Sequence, residues 1–134
     1  MNPRANAISV VVADMDRSVA FYRHLGLDFD PVGADHSEAD LGNGVRLMLD
    51  GDRSIQTFTT MWERGHGSPR TTLCFQFDSA AQVDAKFGEL MQAGYQGFRK
   101  PWDAPWGQRY ASVIDPDGSG VDLYAVLPAV SGLG

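Results

Sequence analysis

Asp122 stands where the surrounding pattern asks for a different side chain. In Tyr110 to Ala125, YASVIDPDGSGVDLYA, two alternating apolar runs flank the turn Asp115-Pro116-Asp117-Gly118. The second run is built to bury Val121, Leu123 and Ala125, yet it sets a carboxylate between them. A carboxylate so placed can serve as a metal ligand, a general base, the anchor of a cationic ligand, or a solvated side chain. Rings accompany it: Tyr110 and Tyr124 on the same runs, Trp102 and Trp106 in PWDAPWGQRY, and Trp62 with Phe58 and Met61 farther upstream. Flat, rigid rings around an acid suit a planar or cationic ligand, offering stacking faces and a counter-charge. The plain alternative is structural. Trp102 and Trp106 then plug a sheet edge in a loop fixed by Pro101 and Pro105, and Trp62 packs on a partner chain.

Other reactive side chains point to less. His24 falls on a helix, His36 and His66 fall in loops, and each reads as a surface histidine. Cys74 has no histidine at a predictable distance, which favours a small buried thiol over a nucleophile. No Gly-rich phosphate loop, carboxylate pair or Ser-His-Asp arrangement stands out, so no catalytic residue is assigned.

The elements that must position these residues follow from periodicity. Ala7 to Val12 is a β-branched run and hence a strand; Asp14 or Asp16 caps a following helix that Gly26 ends. Ala39 to Leu41 and Val45 to Asp50 flank a hairpin turn at Gly42-Asn43-Gly44. Residues 51–70 show no clean period. Thr71 to Phe77 reads as a strand, and Asp78 or Ser79 caps a helix stopped by Gly94. The order strand, helix, meander of strands therefore occurs twice, which is most simply a duplicated βαβββ unit. Alternation puts Ile8, Val10, Val12, Leu47, Leu49, Leu73, Phe75, Val121 and Leu123 on one helix-covered face. It leaves Ser9, Arg46, Met48, Asp50, Cys74, Gln76, Asp122 and Tyr124 on the other. The expected fold is α+β: tandem βαβββ modules forming a cupped mixed sheet with helices outside, one domain over 1–134 with modules at about 5–60 and 70–128.

The chain has 134 residues and a net charge of −6, which repels nucleic acid and anionic membrane surfaces. The lone Cys74 forms no intrachain disulfide, no apolar run spans a membrane, and the Met1-Asn2-Pro3-Arg4 start is no signal peptide; the expected location is cytoplasmic.

VVADMDRSVAFYRHLGLDF resembles the first strand and helix of the vicinal oxygen chelate superfamily, which holds glyoxalases, bleomycin-resistance proteins and extradiol dioxygenases. WGQRYASVIDPDGSGVDLYA is similar to its closing hairpin, and the resemblance runs over nearly the whole chain. Metal-using members place ligands at positions that fall here on Ala7, Met48, Thr72 and Asp122. Asp122 alone matches, and a lone carboxylate holds a catalytic divalent ion poorly. The resemblance then implies a metal-free, cofactor-free homodimer that binds and sequesters a small aromatic or cationic antibiotic-like molecule. Met48, Phe58, Trp62, Trp102, Trp106, Tyr110, Asp122 and Tyr124 would hold it. Two alternatives stand: a metal-dependent glyoxalase-like lyase or isomerase using Asp122 with His66 or Glu63, and a binding module with no role in resistance.

Overall fold

The β-branched run Ala7–Val12 forms β1, and Asp14 caps the helix that follows, accepting a hydrogen bond from the Arg17 amide at 3.1 Å. That helix, α1 (Met15–His24), buries Met15, Val19, Phe21 and Tyr22. It ends before Gly26, whose φ of +87° is a conformation that glycine adopts without a Cβ penalty. Strands β2 (His36–Gly42) and β3 (Val45–Gly51) are joined by the expected tight turn, with Asn43 and Gly44 both at positive φ, as a type I′ hairpin requires. The sheet order is β1-β3-β2, with β1 parallel to β3. The stretch read as aperiodic contains a seven-residue helix, α2 (Asp52–Phe58), which is a correction. So short a helix carries too few turns to leave a periodic signature.

The second half repeats the plan. It comprises β4 (Thr72–Gln76), α3 (Ala80–Gln92), β5 (Gln96–Ala104), β6 (Gln108–Ile114) and β7 (Gly120–Val126). Ser79 caps α3 by accepting from the Gln82 amide at 3.2 Å. The order β4-β7-β6-β5 places β4 parallel to β7. Between β6 and β7, buried Asp115 holds the turn by accepting from the amides of Asp117 and Ser119 at 2.8 and 2.9 Å.

The structure is a computed structural model describing residues 2–30, 33 and 35–129, and the chain divides into two units, 1–67 and 68–134. The second unit is a full βαβββ. In the first, the strand equivalent to β5 is reduced to one bridge, Phe29 with Ala39. Each unit buries one sheet face. Val12, Leu47 and Leu49 are inward in the first, and Ala111, Val113, Val121, Leu123 and Ala125 in the second. Expected inward residue Ile8 is 36% exposed, near the start of β1, which is an edge strand.

Candidate functional site

In the second unit the opposite sheet face is assembled by register. Asp122 on β7 lies beside Cys74 on β4 and Ser112 on β6; Tyr110 lies beside Tyr124 and, across to β5, Trp102. Side chains that sit opposite on one face of a ladder are close enough to bond. Ser112, directly opposite, donates from Oγ to Asp122 Oδ1 at 2.7 Å, and Tyr110, the diagonal neighbour, donates from Oη to Oδ2 at 2.6 Å. Burial, and then the acceptor carboxylate of Asp122, push the Tyr110 phenol well above its ordinary value, so it stays a donor. Asp122 makes no ion pair among the described residues. It borders a cleft of about 220 Å³ whose walls include Ser68, Thr72, Phe98, Ser112 and Ile114. At the rim, a Cβ on Gly120 would meet Thr72 Oγ1 at 2.5 Å and the Thr71 carbonyl at 3.2 Å, so only glycine lets β7 approach β4 this closely.

Beside the carboxylate runs a chain of rings. Trp102 and Trp106 meet edge to face at 5.5 Å, Trp106 meets Tyr110 in the same way at 5.5 Å, and Tyr110 stacks on Tyr124 at 6.0 Å. Arg99 lies over the Trp102 ring at 4.0 Å. Trp102 is a strand residue of β5 and not a loop residue, which corrects the expectation for PWDAPW. The strand absorbs Pro101 through shifts in its pairing with β6. Trp106 occupies the turn between β5 and β6, 57% exposed, with its indole N–H donating to Gln108 Oε1 at 3.0 Å. Cys74 is exposed, against the expected buried thiol, because β4 is the edge of its sheet. Five of the expected ligand residues, Trp102, Trp106, Tyr110, Asp122 and Tyr124, thus come together in one unit.

The other three belong to the first unit. Met48 lies on the uncovered sheet face, opposite Ser9. Phe58 ends α2 and is 72% exposed. Trp62 lies in the segment after α2, with the Arg64 guanidinium 5.9 Å above its ring and Arg64 tied to Asp52. No ring–ring contact joins Phe58 and Trp62 among the described residues.

Around Met48 the face is polar in a way the sequence reading missed. His36 is on β2 and not in a loop, and its two ring nitrogens lie 2.6 Å from Asp50 Oδ1 and 2.7 Å from Glu38 Oε2. Both neighbours accept only, so the ring is an imidazolium donating on each side, and its pKa is raised by Glu38 first and then Asp50. Arg46 donates to Glu38 at 2.8 Å and Ser9 Oγ donates to Asp50. The missed signal was alternation itself: His36 and Glu38 precede Asp40 by even steps and so share its face.

The two units also test the metal positions against each other. Met48 partners Ser9, two residues after Ala7; Asp122 partners Cys74, two residues after Thr72. The four positions are therefore correctly aligned, and their donors are a methyl, a thioether, a hydroxyl and one carboxylate already engaged by two hydroxyls. That set does not fit a divalent ion. Among the described residues, no three His, Cys, Asp or Glu side chains converge as a metal site elsewhere.

Comparison with known proteins agrees with this geometry. The sequence model of the Glyoxalase/Bleomycin resistance protein/Dioxygenase superfamily matches residues 4–123. A glyoxalase/bleomycin resistance protein/dioxygenase from Nocardioides superposes with a TM-score of 0.76 at 22% identity, covering 100% of this chain and 91% of its own. A family enzyme from Burkholderia phytofirmans PsJN gives 0.80 at 15% identity, covering 91% and 98%. A lactoylglutathione lyase from Agrobacterium tumefaciens gives 0.66 at 19% identity, covering 92% and 94%. At these identities the likeness is one of fold. No protein of curated function matches the sequence.

Proposed function

Because the chain belongs to the Glyoxalase/Bleomycin resistance protein/Dioxygenase superfamily, we propose that it binds and sequesters a small aromatic or cationic antibiotic-like molecule without metal or other cofactor. One observation carries the reading. Asp122 is a partly buried carboxylate with no cationic partner among the described residues, set at a cleft and flanked by a continuous run of rings. A charge kept without a protein partner is costly to bury and is offset when a ligand cation arrives. Trp102, Trp106, Tyr110 and Tyr124 supply stacking faces beside it. The donor set at Ala7, Met48, Thr72 and Asp122 supports binding over metal-assisted chemistry.

The active form in this reading is a cytoplasmic homodimer, since within each unit helices cover only one face of the sheet and the other needs a facing surface. No helix among the described residues is long and apolar enough to cross a membrane. The test is a thermal-shift and tryptophan-fluorescence screen of cationic and polycyclic antibiotics with elemental analysis of the purified protein. A ligand that raises Tm in proportion to its concentration and quenches fluorescence is the expected result. A stoichiometric, tightly held transition metal whose removal abolishes a lyase activity would refute sequestration.

A further inference from the structure

We infer that the cleft beside Asp122 takes the protonated primary amine of its ligand. The inference rests on the ligand-binding reading above and deepens it by naming the head group.

Several carboxylates elsewhere on the two units are paired with a cation: Glu38 with Arg46, Asp52 with Arg64, and Asp84 and Asp103 both with Arg109. Asp122 has instead two hydroxyl donors, and each has a single hydrogen, which it gives to the carboxylate. What Ser112 Oγ then turns to its surroundings is lone pairs. Asp122 keeps lone pairs too, since each carboxylate oxygen accepts more than one bond. Among the described residues no Lys, Arg or His lines the cleft. An anionic head group would therefore face an uncompensated carboxylate with no opposing charge.

Among cations the donor count decides. A primary ammonium carries three hydrogens, and the cleft offers acceptors on Asp122, Ser112 and Thr72. A quaternary ammonium carries none and would leave those acceptors desolvated and unpaired, the costlier arrangement. Phe98 and Ile114 provide apolar wall for the carbon body. Tyr110 links the two halves of the site, its hydroxyl on Asp122 and its ring against Trp106.

The test titrates the full chain with phenethylamine, its N,N,N-trimethyl derivative, phenylacetate and neutral naphthol, read by tryptophan fluorescence and amide NMR shifts near neutral pH. Phenethylamine should bind roughly tenfold more tightly than the trimethylated probe, the scale of one charged hydrogen bond lost. Phenylacetate should bind weakest. Asp122→Asn, checked for folding by its amide spectrum, should erase the ranking. If wild-type protein binds the trimethylated probe or phenylacetate as tightly as the amine, the assignment is overturned, whatever the variant does. Naphthol binding with no amine binding at millimolar concentration overturns the head group alone. Failure of both rings overturns the head group and the ligand-binding reading together.

Discussion

The uncovered faces of the two sheets share a ladder plan and differ in how they treat charge. In the first unit, every polar group around Met48 has a protein partner: Ser9 and His36 on Asp50, His36 and Arg46 on Glu38. In the second, the position equivalent to Met48 is Asp122, supported by hydroxyls and rings with no cation. One face is closed on itself and the other holds an acid in reserve. The βαβββ plan occurs twice, and the proposed function draws on the unpaired acid of the second copy alone.

Three measurements would break or sharpen this contrast. The largest effect comes from the faces that should be alike. Leu49 and Leu123 occupy equivalent inward positions and both are fully buried. Leu49→Ala and Leu123→Ala should each cost about 2–5 kcal/mol in urea unfolding, the usual loss for a buried leucine. Costs differing by most of that range would deny that the cores are equivalent.

Next come Gly120 and its counterpart Arg46, where the units should diverge. Gly120→Ala forces a methyl against Thr72 and should lose about 1–3 kcal/mol together with affinity at the cleft. Arg46→Ala removes an exposed ion pair and should cost under about 1 kcal/mol, leaving affinity unchanged. A neutral Gly120→Ala in both stability and binding would remove the cleft from the site.

The smallest effect is in pH. The His36 pKa is raised by its carboxylates, so its contribution is full below the ordinary 6.5 and is lost as pH climbs through the raised value. With 44% of the side chain exposed, solvent screening keeps this below about 1 kcal/mol. Glu38 is lowered by His36 first, so its part is present above the ordinary 4.5 and fades as pH falls below it. Tyr110, raised by burial and then by Asp122, holds its contribution until pH passes 10.0. Between neutrality and that point, only the first unit's face should respond. Unfolding curves of the parent and His36→Gln across that window should converge as pH rises; a persistent constant gap would contradict the imidazolium assignment.

How far the sequence foretold this depended on how local each signal was. Caps at Asp14 and Ser79, stops at Gly26 and Gly94 and the Gly42-Asn43-Gly44 hairpin are set within a few residues, and they stand as expected or settle a choice between neighbours. Alternation placed Asp122, Tyr124 and Met48 on the face where they lie. What escaped depended on distance along the chain. His36 became a network residue only through pairing with β3, and Ser112 became an Asp122 donor only through the β6–β7 register. β5 was obscured by Pro101 within it and Pro105 just past its end, and α2 was too short to show a period. The expected single-domain extent and the ligand roles of all eight residues, Met48, Phe58, Trp62, Trp102, Trp106, Tyr110, Asp122 and Tyr124, remain proposals.

The close approach of β7 to β4 also governs how this lineage can change. Position 120 accepts a side chain only after position 72 has given up its branch, and the Thr71 carbonyl at 3.2 Å stays in place whatever 72 becomes. The two sites are thus tied, whereas Cys74 and Gln76 on the same strand are exposed and meet no such pinch. Natural variants should keep glycine at 120 wherever 72 is threonine or larger. Change at this end of the cleft therefore has an order, position 72 before position 120.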